Sequence, residues 1–418
     1  MKRTTWMRLL LMAVVLNVQC SMFNVFAQIT IGGNVYGGGN EGITGGNTKI
    51  TVYEGDLNNV YGGARMADVE GNAFVHVDAE HASSYIIINK VYGGNDISGT
   101  ISGSSQATPD ELTNKTDNRV DNTWSAFVRV STKKKADGTV DASQKTYIGQ
   151  LFGGGNGNYI YSSETVGNDV IHILKDAETG DEILRTQTDI HQPDLGKSYL
   201  ELLGGSIVNV FGGGNMATVT QDAVIHLENP SEVVNHINVK DGIEDDENGT
   251  DLLNEDRFIK MGINYKFTYP NSGAFQIGNL FGGNNKVDMA IQPRWNLLGG
   301  KVRNLYSGGN EGRMTNPRGL LLVIPEASTL TVDNVYGGCR KADVRPLDEN
   351  GNDVPNAQIQ LAENPTGIPA GFSARTRILG GDINNVYGGN DISGDVYGGN
   401  TVAILTTVHG NVYGGGNG

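Results

Sequence analysis

Apolar and polar positions along this chain repeat on two scales. The short pattern is an aliphatic residue, two mostly polar residues, an aliphatic, an aromatic, and then glycines. Its apolar–aromatic pairs are Val35-Tyr36, Val60-Tyr61, Val91-Tyr92, Leu151-Phe152, Val210-Phe211, Leu280-Phe281, Leu305-Tyr306, Val335-Tyr336, Val386-Tyr387, Val396-Tyr397 and Val412-Tyr413. Gly-Gly follows each pair except Leu305-Tyr306, where Ser307-Gly308 stands instead. Asn precedes most pairs, as at Asn34, Asn59, Asn209, Asn279, Asn304, Asn334, Asn385 and Asn411. Paired glycines each cost about 1 kcal/mol inside a helix, so the pattern predicts strands and turns instead. Asn tolerates the backbone of a sharp corner, and its amide can bond an identical Asn one layer away. The glycines are expected to turn the chain without steric penalty.

Between motifs the chain alternates with period two. Ala73-Phe74-Val75-His76-Val77, Asp169-Val170-Ile171-His172-Ile173 and Ala223-Val224-Ile225-His226-Leu227 read as half-buried strands. One motif plus one such strand cannot bury an apolar face alone, so copies must stack. The expected fold is all-β, a parallel β-solenoid with loop insertions. Eleven layers at about 4.8 Å would give a rod on the order of 50 Å.

A longer period lies above the short one. Gly39-Asn40-Glu41-Gly42 returns as Gly309-Asn310-Glu311-Gly312, and Arg65-Met66-Ala67-Asp68-Val69 as Arg340-Lys341-Ala342-Asp343-Val344. Asn95-Asp96-Ile97-Ser98-Gly99 returns as Asn390-Asp391-Ile392-Ser393-Gly394, and Gly153–Gly157 as Gly414–Gly418. The order is preserved, so we divide the chain into residues 28–298, a first super-repeat, and 299–418, a truncated second. Because the second copy stops inside a motif, the chain is expected to be part of a longer protein. The first copy adds a polar stretch around Pro109 to Asn122 and a basic run at Lys133-Lys134-Lys135, other insertions lie near 175–200, 228–275 and 344–376, and in stacked repeats such insertions tend to share one face.

Residues 1–27 read as an export signal. Lys2, Arg3 and Arg8 precede a short apolar run, and Val25-Phe26-Ala27 supplies a small residue for cleavage before Gln28. The run is too short to span a membrane, and the residues before Cys20 do not suit a lipid anchor. The expected location is secreted or cell-surface. Cys339 is the one cysteine beyond the signal, so no internal disulfide is available. The net charge of −15 disfavours nucleic acid as a partner.

Candidate chemistry is sparse. Gly37–Gly42 fits the dinucleotide glycine pattern formally but leads into a strand, so it reads as a turn. Glu244, Asp246, Asn248 and Glu255 have the spacing of a calcium loop, but with Glu first and no flanking helix a solvated acidic turn is favoured. Gly-Gly-Asn-Asp-Ile-Ser-Gly-Asp, ending at Asp395, lacks the tandem repeats of a calcium β-roll. His76, His172 and His226 are expected to face outward from their strands as ordinary polar residues. Arg65 with Asp68, and Arg340 with Asp343, are expected to be surface pairs or turn-fixing hydrogen bonds. No catalytic residue is assigned, and no cofactor is expected beyond that calcium option.

The Val-Tyr-Gly-Gly-Gly-Asn blocks behind an export signal resemble secreted or surface proteins of Bacteroidetes, which are similar to pectin-lyase-like right-handed parallel β-helices and adhesin passengers. The resemblance covers nearly all of the chain after the signal. It implies a right-handed solenoid with a structural or adhesive role, and glycans or surface proteins as partners. It also implies a C-terminal sorting domain, of which these 418 residues show none. The alternative reading is a carbohydrate-active β-helix, a lyase or glycosidase, or a glycan-binding module. A glycosidase would need two carboxylates across a groove, about 5–9.5 Å apart.

Overall fold

The computed structural model describes residues 29–83, 86–103, 124–138, 146–228, 277–362 and 367–418. The export signal and the acidic calcium-loop candidates Glu244, Asp246, Asn248 and Glu255 lie outside these residues. The strands, in chain order, are β1 (Thr30–Tyr36), β2 (Thr48–Val52), β3 (Gly55–Tyr61), β4 (Ala73–Val77), β5 (Ile86–Tyr92), β6 (Thr100–Ile101), β7 (Ala126–Val130) and β8 (Thr146–Phe152). Then come β9 (Tyr159–Val166), β10 (Asp169–Asp176), β11 (Glu182–Thr186), β12 (Asp194–Leu202), β13 (Ser206–Phe211), β14 (Thr218–Leu227), β15 (Ile277–Phe281) and β16 (Arg294–Leu297). The last are β17 (Lys301–Tyr306), β18 (Leu320–Ile324), β19 (Thr331–Tyr336), β20 (Phe372–Ile378), β21 (Asp382–Tyr387), β22 (Gly399–Ile404) and β23 (Val412–Tyr413). Among the described residues the helical content is one 3₁₀ turn, Asn356–Gln358.

The fold is all-β and built on long parallel sheets. Ten strands form one sheet in the order β1-β3-β5-β8-β13-β15-β17-β19-β21-β23. The strands between them in sequence go elsewhere. β2, β4, β7, β12, β14 and β16 form a second parallel sheet, with β6 beside β12, and β18-β20-β22 form a third. The chain thus alternates between the first sheet and a second layer almost throughout. A third line of contact is made by single parallel bridges, Thr44 to Val69 to Ile101 near one end and Met289 to Met314 to Val344 to Val396 near the other.

The motif aromatics end the strands of the first sheet in strict register. Tyr36, Tyr61, Tyr92, Phe152, Phe211, Phe281, Tyr306, Tyr336, Tyr387 and Tyr413 stack with ring centroids 4.5–5.1 Å apart and planes within 12°. That step matches the strand spacing of a sheet, so backbone pairing sets the stacking distance. The eleventh pair departs from expectation. Val396 bridges Val344 in the third line of contact, and Tyr397 lies under the Arg345 guanidinium at 4.8 Å instead of joining the stack. Ten in-register strands span about 43 Å at about 4.8 Å per step, less than eleven would.

The two aliphatics of each motif point the same way. Leu57 and Val60, Ile207 and Val210, and Val332 and Val335 all lie in one aliphatic core with Val75, Val128, Leu200 and Ile225 of the second sheet. The Asn between them stands where the strand pairing skips one residue, as between Ile207 and Asn209. It sits within the strand and joins a side-chain ladder. Asn279 Nδ2 donates to Asn209 Oδ1 at 2.8 Å, Asn304 to Asn279 at 2.9 Å, Asn334 to Asn304 at 3.0 Å and Asn385 to Asn334 at 3.1 Å. Identical residues one layer apart thus bond one another along the sheet, each amide donating to the last and accepting from the next.

In several of the stacked motifs the first glycine is explained by close approach of the next layer and not by a left-handed backbone. A Cβ on Gly62 would lie 2.5 Å from the Gly93 carbonyl oxygen, and one on Gly212 would lie 2.5 Å from that of Gly282. Backbone pairing continues around the turn, from Gly62 N to Tyr92 O and from Gly212 N to Phe281 O. Adjacent layers therefore approach closely at these two glycines, whereas the Leu305-Tyr306 motif carries buried Ser307 at the same place and keeps the pairing, from Ser307 N to Tyr336 O. Gly99 and Gly394 are among the glycines that do need a positive φ, at +93° and +94° in the two Asn-Asp-Ile-Ser-Gly blocks.

Candidate functional site

The segment Asp169–Ile173 does not form a strand of the parallel sheets. It lies in β10, the middle of an antiparallel three-stranded arm, β9-β10-β11. The inserted structure therefore begins at Tyr159, well before the expected 175, directly after the Gly153–Gly157 block.

The Asn-Asp-Ile-Ser-Gly block holds this arm and the loop before β12 with three consecutive residues. Asp96 is buried, and its Oδ1 accepts from Tyr159 Oη at 3.1 Å and Asn156 Nδ2 at 2.8 Å. Tyr36 Oη donates to its Oδ2 at 2.8 Å. The Ile97 carbonyl accepts from Tyr161 Oη at 2.5 Å, and Ser98 Oγ accepts from the His191 amide at 3.3 Å. Burial, reinforced by the charge of Asp96, pushes the Tyr159 and Tyr161 hydroxyls well above their ordinary value, so both are neutral donors.

A groove of about 710 Å³ opens between the arm and the parallel sheets. Tyr159 and Tyr161 line it from β9, His191 and Gln192 from the loop before β12, and Asp194, Thr218 and Thr220 from the starts of β12 and β14. Both tyrosines are half-buried, with their hydroxyls tied inward. Their positions i and i+2 put them on one face of the strand. The groove supplies aromatic surface, amide, hydroxyl, imidazole and carboxylate groups, which is the chemistry of non-covalent recognition.

The second block repeats the anchoring geometry without an arm among the described residues. Tyr306 Oη donates to Asp391 Oδ2 at 2.8 Å and Asn417 Nδ2 to its Oδ1 at 2.9 Å. Ile97 is 1% exposed beneath the arm, whereas Ile392 is 49% exposed. The paired Arg and Asp of each copy work separately. Arg65 donates to Asn40 at 3.0 Å and Arg340 to Asn310 at 3.2 Å. Asp68 accepts from the Thr100 amide and Asp343 from the Asp395 amide, both at 2.8 Å. These are turn-fixing hydrogen bonds.

The histidines do not form one stripe. His76 and His226 lie on the second sheet, while His172 is on the arm, its Nδ1 3.4 Å from Asp189. Nor are His76 and His226 solvated, at 8% and 7% exposure. They belong to a register-matched row on the face opposite the aliphatic core: Thr51, His76, Arg129, Glu201, His226 and Asn296. Arg129 Nε pairs with the fully buried Glu201 Oε2 at 2.6 Å. His76 Nε2 meets Ser131 Oγ at 3.2 Å and His226 Nε2 meets Glu228 Oε2 at 3.1 Å. Alternate residues of these strands thus carry a buried polar row outside and aliphatics inside.

Cys339 is fully buried, as is Ala64 at the equivalent position of the first copy, and burial pushes its thiol up to about 12. It is a small packing residue. Among the described residues no group of three or more His, Cys, Asp or Glu is placed to hold a metal ion. No helix there is long and apolar enough to cross a membrane.

Sequence reasoning passed over Tyr159, Tyr161, Gln192 and Asp194. The available signal was a Tyr-x-Tyr just after a repeated glycine block. No protein-family model, curated protein or solved structure matches this chain.

Proposed function

We propose that the chain is an exported, right-handed parallel β-solenoid with a non-enzymatic structural or adhesive role at the bacterial cell surface. The observation that carries it is the alternation of successive strands between two layers of parallel sheet, with ten motif aromatics in one stack. Such a chain has to wind, and crossovers between parallel strands are right-handed in about 98% of cases. The resemblance to surface repeat proteins, the export signal and the acidic charge point the same way. A projecting arm beside a groove gives such a rod something to present.

The test is expression with the native leader in a Bacteroidetes host. Gln28 is expected as the mature N-terminus, and the arm is expected to be cut by protease added to intact cells. An uncleaved leader with the protein confined to the cytosol would overturn the reading.

A further inference from the structure

We infer that the groove between the antiparallel arm and the parallel sheets binds a neutral pyranose oligosaccharide. The inference rests on the adhesive reading above and supplies its ligand class.

Three features carry it. The first is preorganisation. The Tyr159 and Tyr161 hydroxyls are bonded to Asp96 and the Ile97 carbonyl, so both rings are held before a ligand arrives. A ring held in place spends little conformational entropy on binding, and tyrosine offers broad apolar contact with few torsions to freeze. The C–H faces of a pyranose suit such surfaces.

The second feature is the polar wall. Gln192 can donate and accept at once, Asp194 accepts, and Thr218 and Thr220 carry hydroxyls. Vicinal sugar hydroxyls need this mixture of donors and acceptors. The third is charge. Among the described lining residues there is an Asp and no Lys or Arg, in a chain of net charge −15. A uronate, sialate or sulfated glycan would meet like charge, whereas a neutral sugar would not. At about 710 Å³ the groove lies in the ordinary range for ligand sites, about 300–1,000 Å³.

The Asp96-Ile97-Ser98 block then has a definite part. Asp96 places Tyr159, Ile97 places Tyr161 and Ser98 places the backbone of His191, so one turn positions both walls. These three are positioning residues and need not touch the sugar.

The full chain would be applied to an array of neutral, amino-sugar and acidic oligosaccharides, and the strongest neutral binder titrated by calorimetry. Tyr161→Ala and Gln192→Ala should each weaken binding about tenfold or more, whereas Tyr161→Phe, which keeps the ring but loses the bond to the Ile97 carbonyl, should weaken it less than Tyr161→Ala. Melting curves of each variant separate loss of contact from loss of fold. Binding of acidic glycans alone, binding to no neutral oligosaccharide, or full affinity in both alanine variants would overturn the inference. Leader cleavage and surface exposure are read separately, so the adhesive reading and the sugar assignment can fail independently.

Discussion

Glycine is the residue on which close stacking depends. Gly212 lies where the Gly282 carbonyl would meet a side chain, while Gly46 has open space around its Cβ position. Gly212→Ala is therefore expected to cost about 1–3 kcal/mol, the usual range for overpacking. Gly46→Ala should be nearly neutral in the same urea titration. Equal midpoints for the two would refute the close-approach explanation. Glu201 is a second residue-scale case. It is fully buried beside Arg129, and removing one partner leaves a buried charge uncompensated. Glu201→Ala should lose about 3–5 kcal/mol, and pairing it with Arg129→Met should recover much of that loss. A double variant no better than the single one would show that the pair is not what stabilises this row.

At the scale of elements, the arm depends on one carboxylate. Asp96 accepts from Tyr36, Asn156 and Tyr159, and an amide at this position would turn one acceptor oxygen into a donor. In Asp96→Asn, hydrogen exchange should accelerate across β9 and β10 and remain slow in β13 and β15, which lie in the middle of the ten-stranded sheet. Unchanged exchange in the arm would mean that its strands are held by their own ladder. Asp391→Asn, the equivalent change in the second copy, should leave the arm untouched and loosen the contacts of Tyr306 and Asn417.

The aromatic stack gives the whole molecule a pH limit. Burial raises the Tyr61, Tyr92, Tyr306 and Tyr336 hydroxyls above their ordinary value of 10.0. The unfolded chain therefore releases these protons first as pH rises. The stacked tyrosines contribute fully below about pH 10, and that contribution is lost as pH climbs from there toward the folded values. Melting temperatures recorded between pH 8 and 12 should hold level and then fall from about pH 10. A level trend to pH 12 would mean that the tyrosines are solvated.

Much of this architecture is legible in the one-dimensional pattern. Paired glycines exclude helix, the recurring Asn predicts a ladder between layers, and the alternation at Ala73–Val77 and Ala223–Leu227 predicts β4 and β14, because these are local properties of a backbone and its nearest layer. The same local cues cannot say which strands pair. Asp169–Ile173 alternates as cleanly as β4 does, yet its neighbours Tyr159–Val166 lie within reach of a hairpin and capture it into the arm. Val396-Tyr397 carries the motif but sits opposite Val344, since its position along the turn of chain, set by distant pairing, places it on another line of contact. Burial of His76, Arg129, Glu201 and His226 likewise depends on what covers their face. The groove is the extreme case. Its walls come from residues 159 to 220, and Asp96 to Ser98 hold them, so only the folded chain brings aromatic and polar groups together into a place where a ligand can sit.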